Sequence, residues 1–76
     1  MRVHLTFPKD LVDQPIIYFL GKNHNLITNI RRADVKDRQG WVMLELEGRQ
    51  EDIEVGVREL EAKGVRVDPL EGQVIE

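Results

Sequence analysis

The side chains able to do covalent or acid–base chemistry are few in this sequence and widely spaced. It contains neither serine nor cysteine, so Thr6, Thr28 and Tyr18 are its only hydroxyls and no thiolate is present to act as a nucleophile. Its two histidines, His4 and His24, fall on different elements, and the carboxylates are mostly spread along helix faces. His4 reads as an exposed strand residue and His24 as a helix-end residue favourable to the dipole, in preference to ligand or base roles. The expectation is that the chain is not an enzyme. Without cysteine there are also no disulfides, no thiolate metal sites and no ligands for an iron–sulfur cluster, and no cofactor or metal is expected.

What remains is recognition. Arg31, Arg32, Lys36 and Arg38 crowd together in a chain whose net charge is −3. Binding to a phosphate backbone depends on clustered Lys and Arg releasing counterions, and the acidic balance argues against it as the main business. The plainer reading of the cluster is a solvated strand end and hairpin balanced by Asp34 and Asp37. No nucleic-acid partner is expected.

Positioning these groups falls to a small scaffold. The 76 residues make one domain, 1–76, and a chain this short buries only ~60% of its unfolded surface, so a partner subunit would help stability. With 41% hydrophobic and 33% charged residues it reads as a folded, soluble protein. No apolar run approaches the ~20 residues that span a bilayer, and the start Met1-Arg2-Val3-His4 is not a signal peptide, which leads us to expect a cytoplasmic location and no membrane insertion.

Val3, Leu5 and Phe7 alternate with His4 and Thr6, the period of a half-buried strand, over 2–7, and Pro8 ends it. Asp13 before Gln14-Pro15 is a helix-start signal, and Ile16, Ile17 and Leu20 share a face of a helix over 14–23. Gly21 within it suits a close approach of helix backbone to sheet. A β-rich stretch over 26–35, turn residues Lys36 to Gly40 and a strand over 41–47 form a hairpin. In its second arm Val42, Leu44 and Leu46 are the core face, because only that set lacks charge, while Trp41, Met43, Glu45 and Glu47 point the other way. Gln50, Glu51 and Asp52 start a second helix over 50–63, with Ile53, Val57 and Leu60 on one face, a Glu59–Lys63 pair and Gly64 as the stop. A last strand over 65–68 ends at Asp68-Pro69.

This order predicts an α+β, ferredoxin-like βαββαβ sandwich: a four-stranded antiparallel sheet with both helices on one face and the other face open. Alternation assigns His4, Thr6, Ile27, Asn29, Arg31, Trp41, Met43 and Glu45 to the open face, a mixture too apolar for plain solvent surface. The long strand over 26–35 also needs covering or pairing if it is an edge, which makes a homodimer natural. Several functions of this fold lack their residues here. Pro8-Lys9-Asp10 offers no CxxC metal loop, Trp41 alone could stack on RNA, and Phe7 to Leu11 is not a glycine-rich anion loop.

The stretch Asn25-Leu26-Ile27-Thr28-Asn29-Ile30-Arg31 resembles the signature of the NIL domain family, named for an Asn-Ile-Leu tripeptide on its second strand. Phe7, Pro15-Ile16-Ile17, Gly40, Leu44 to Gly48 and Gly64-Val65-Arg66-Val67 match further family features in order, so the resemblance covers Val3 to about Leu70. Members of that family are ACT-like domains at the C-terminus of methionine-importer ATPase subunits, and are attached to some ferredoxins. In the importers the domain pairs with its twin and binds methionine, which shuts transport down. The resemblance therefore implies a homodimeric regulatory domain that binds methionine or a related sulfur amino acid. It places the family's ligand-contacting Asn at Asn29, whose amide could both donate and accept hydrogen bonds. Ile27, Met43 and Trp41 would supply apolar contact. Arg31 stands where the signature has leucine, either as a salt bridge with Glu45 across the hairpin or as a clamp on a ligand carboxylate.

The competing role for Asn29 is a solvent-facing or dimer-contact residue, and for Trp41 and Met43 plain cover for a dimer interface. The rival function is a protein-interaction module that docks a sulfur-metabolism or transporter protein and binds no small molecule. With no ATPase preceding it, the domain is expected to report through such a partner.

Overall fold

The alternation of apolar and polar residues in the first strand meets its complement in the third, and the sheet is built around that pair. The computed structural model describes residues 1–12, 14–37 and 39–70. The strands are β1 (Arg2–Phe7), β2 (Ile27–Lys36), β3 (Gln39–Glu47) and β4 (Arg66–Pro69), and the helices are α1 (Ile16–His24) and α2 (Gln50–Lys63). They form one antiparallel sheet in the order β2-β3-β1-β4, so β2 and β4 are its edges among the described residues. The fold is the expected βαββαβ α+β sandwich. A short 3-10 turn at Lys9–Leu11, which the sequence pattern did not suggest, joins β1 to the approach of α1.

Val3, Leu5 and Leu44 are completely buried and Leu46 nearly so. With Ile16 and Leu20 of α1 and Ile53 and Leu60 of α2 they form one core between the sheet and the two helices. Val42, Leu44 and Leu46 all lie on that side, as their lack of charge requires. Gly56 lets the helices close on each other: a Cβ there would stand 2.9 Å from Leu20 Cδ1 and 3.3 Å from Leu26 Cδ1. Gly21 does the same for α1 and the start of β2, its missing Cβ lying 3.1 Å from the Leu26 carbonyl oxygen.

Helix α1 begins later than the pattern placed it. Pro15 occupies the cap position with no side-chain hydrogen bond, and the helical residues start at Ile16. The expected cap Asp13 lies outside the described residues. Its C-terminus runs one residue further, to His24, and Asn25 closes it in the left-handed region (φ 55°) with its N–H donating to Gly21 O. Helix α2 stops at Gly64 (φ 101°), whose N–H reaches the carbonyls of Leu60 and Glu61.

The hairpin turn is also tighter than the five-residue turn the sequence suggested. Lys36 pairs with Gln39, and Asp37 takes a φ of 53°, which aspartate tolerates better than most residues. Arg38, a member of the basic cluster, and the tail 71–76 lie outside the described residues.

Candidate functional site on the open sheet face

Because side chains alternate across a strand, the residues not spent on the core line up on the helix-free face. Register sets their neighbours. Glu45 lies between Asn29 of β2 and Arg2 of β1, Met43 between Arg32 and His4, and Trp41 between Asp34 and Thr6. Beyond β1, Asp68 is level with His4 and Arg66 with Thr6. His4 stacks on Trp41, with ring centroids 5.2 Å apart and planes inclined by 17°.

One irregularity changes this grid from the expected one. The β2–β3 register slips between Ile30 and Arg32, so Arg31 is the extra residue of a β-bulge. Simple alternation would put Arg32 on the core side. After the bulge Arg32 is level with Met43, and Arg31 remains beside Glu45, so two consecutive arginines share the open face. Arg31 Nη1 donates to Glu45 Oε1 at 3.3 Å, and Arg2 Nε lies 3.6 Å from Glu45 Oε2. The Arg31–Glu45 salt bridge considered from sequence is therefore present. At the leucine position of the family signature this chain carries a half-exposed, paired arginine, so its charge needs no burial.

Arg2, Arg31 and Arg32, with Met43 and Leu70, surround a depression of about 290 Å³. A second hollow, about 280 Å³, lies toward the hairpin turn among His4, Thr6, Asp34, Lys36 and Trp41. A third, about 260 Å³ and mainly apolar, opens on the helix side between Leu11, Val12, Ile17, Val35 and Val42.

Of the residues singled out from sequence, Arg31 and Met43 line the first depression, Asn29 stands on the same face level with Glu45 without lining it, and Trp41 is one row away along β3. Ile27 is not part of that group. It is level with Glu47, and the strand from Glu47 to Trp41 runs roughly 20 Å, too far for one amino acid to touch both ends. Ile27 is instead an exposed edge residue. Sequence reasoning missed Arg2, Arg32 and Leu70 at the site. The only signal was the doublet Arg31-Arg32, which breaks strict alternation in a strand.

The basic cluster is divided. Arg31 and Arg32 sit at the middle of β2, whereas Lys36 stands at the hairpin end beside Asp34 and Asp37. No group of three or more metal-ligating side chains gathers among the described residues. No helix among them is long and apolar enough to cross a membrane.

Away from the sheet face, His24 at the end of α1 donates from Nε2 to Glu59 Oε1 of α2. That hydrogen bond holds the Glu59 carboxyl below its ordinary value; desolvation opposes it and the Lys63 charge, 3.8 Å away, reinforces it. His24 thus ties the two helices together as well as ending one of them.

A ferredoxin-like sandwich with an uncovered, arginine-bearing sheet face has the form of a small recognition domain. The sequence matches the family model described as NIL domain over residues 1–69, and the chain belongs to that family. Its fold is similar to that of a solved C-terminal domain of an ABC transporter / ATP-binding protein from Enterococcus faecalis. The TM-score is 0.77 and the identity 18%, over 88% of this chain and 79% of that one. No curated protein matches the sequence significantly.

Proposed function

We propose that this chain is a non-enzymatic regulatory domain that works in the cytoplasm as a homodimer and binds methionine or a related sulfur amino acid on its open sheet face. The observation that carries the reading is that Asn29, level with Glu45, shares its sheet face with a depression lined by Arg31 and Met43, in a chain that belongs to the NIL domain family. Asn29 offers a donor and an acceptor to the amino and carboxylate groups, and Met43 offers a polarisable apolar surface to a thioether side chain. The structural likeness to the C-terminal domain of an ABC transporter / ATP-binding protein supports a transporter subunit as the partner that reads the signal. Regulation would be a population shift, the ligand favouring one dimer geometry by its differential affinity.

The test is calorimetric titration of the dimeric protein with methionine, homocysteine and cysteine, with Asn29→Ala alongside. Saturable heat lost in the variant is the expected result, accompanied by a ligand-dependent rise in melting temperature that follows RT ln(1 + [L]/Kd). Flat traces from folded protein would refute ligand binding.

A second reading is favoured by a different observation. Ile30 and Val35, both on the helix side of edge strand β2, are 54% and 63% exposed, an apolar strip at the sheet edge. In this reading the strip docks another protein and no small molecule binds. A pull-down of the transporter or sulfur-metabolism partner that is lost with Ile30→Glu, from protein indifferent to all three amino acids, would select it.

A further inference from the structure

The β-bulge of β2 gives the open face a feature that neither Asn29 nor the family signature explains. A regular strand would send Arg31 and Arg32 to opposite sides of the sheet. The register slip between Ile30 and Arg32 turns both onto one depression, where Arg2 of β1 joins them from the other side of β3. Three guanidinium groups thus meet around about 290 Å³ on a protein whose overall charge is −3.

Among the described residues, Glu45 is the acidic group that contacts this cluster, while Asp68, level with His4, pairs with Arg66. Glu45 is partly buried and uses one carboxylate oxygen for Arg31 and the other for Arg2. Both guanidinium groups are thereby held in place at the rim. Arg32 has no acidic partner among the described residues. Glu47 is level with Ile27 and Asp34 with Trp41, each a row away along β3. With Glu45 occupied by Arg31 and Arg2, the Arg32 guanidinium is the one left to a ligand. Its remaining lining is apolar, supplied by Met43, Leu44 and Leu70.

We propose that this depression is a carboxylate-binding site, in which Arg32 and Arg31 receive the carboxylate of a small organic ligand while Met43 and Leu70 cover its short aliphatic or thioether body. A planar guanidinium matches a carboxylate with two parallel hydrogen bonds, and Glu45 holds Arg31 ready so that less side-chain freedom is lost on binding. The site selects for the acid group: it accepts a carboxylate that lacks an amine and rejects the amine that lacks a carboxylate. The inference rests on the reading of the open face as a ligand site and assigns the carboxylate to the bulge arginines, with Asn29 left to the amino group.

The experiment is a proton–nitrogen NMR titration of the full chain with L-methionine, sodium pentanoate and pentylammonium chloride, with sodium chloride matched in every sample because exposed charge pairs are screened. The expected result is saturable movement of the Arg31 and Arg32 amide signals with methionine and pentanoate and none with pentylammonium. Arg32→Met should weaken both carboxylates about tenfold or more, and Arg32→Lys, which keeps the charge and loses the fork, should recover only part of that. The spectra themselves report whether each variant is folded. If methionine binds equally well to wild type and Arg32→Met, the carboxylate site is overturned while the amino-acid reading stands. If pentanoate binds in an Arg32-dependent way and methionine does not bind, the site stands and the amino acid is the wrong ligand. No movement with any of the three overturns both.

Discussion

Two neighbours in register, Leu44 and Ile30, allow the core and the proposed dimer to be tested with the same substitution. Leu44 is fully buried and packs beneath both helices, whereas Ile30, level with it on edge strand β2, is 54% exposed. Leu44→Ala removes buried methylene groups from a core that cannot collapse freely and should cost about 3 kcal/mol. For a domain of this size that lowers the melting temperature by roughly 12–24 °C. Ile30→Ala in an isolated protomer loses only the covered half of the side chain, about 1 kcal/mol. If a second copy covers the exposed half, each protomer loses about 1 kcal/mol more on association, or about 2 kcal/mol per dimer, which is roughly thirtyfold in Kd. Urea unfolding followed by the single tryptophan, Trp41, at protein concentrations spanning the dimer Kd separates these contributions, and light scattering gives the mass directly. The expected outcome is a large, concentration-independent loss for Leu44→Ala and a concentration-dependent loss for Ile30→Ala. An Ile30→Ala protein that dimerises as tightly as wild type would refute the edge of β2 as the interface. A Leu44→Ala protein destabilised by less than about 1 kcal/mol would refute the single core between sheet and helices.

Substitutions at three further positions probe the devices that hold the helices. Gly64→Ala places a Cβ on a residue whose φ is 101°, and should destabilise by about 1–2 kcal/mol, with Gly64→Asn costing less, as measured by chemical denaturation. Gly56→Val drives a branched side chain into Leu20 and Leu26 and should cost about 1–3 kcal/mol despite replacing a helical glycine; a melting temperature at or above wild type would show that α2 has room to move. The Glu59 carboxyl, held down by its hydrogen bond from His24, stabilises the fold fully above its ordinary value of 4.5, and that contribution is lost as pH falls through the lower folded-state value. His24→Leu should therefore lose less stability than wild type across that acid window, and parallel stability–pH curves for the two proteins would show that the bond does not couple the helices.

The fold was legible because its pattern is regular where the core is. Val3, Leu5 and Phe7, and Val42, Leu44 and Leu46, alternate without interruption, and the two helical faces each offer a small set of apolar residues to meet them. The start of α1 was less legible, since proline fits the cap position it occupies as well as the first helical turn expected for it. The site was legible only in part, and for a physical reason. Alternation identifies faces as long as the period holds, and it holds in β1 and β3, which is why Met43, Trp41 and Glu45 fall where expected. It fails in β2, where one extra residue inverts the facing of every position that follows. Up to Ile30 the even-numbered residues of β2 face the helices; beyond the bulge Ala33 and Val35 take that side and Arg32, Asp34 and Lys36 the open one. A bulge has no residue signature as firm as a glycine in a turn. Without it, Arg32 would be level with Val42 and face the helix side, away from Arg31 and Met43. The charged doublet in the strand and the arginine-lined depression are therefore one fact: the insertion that turns Arg32 to the open face is what places it beside Arg31.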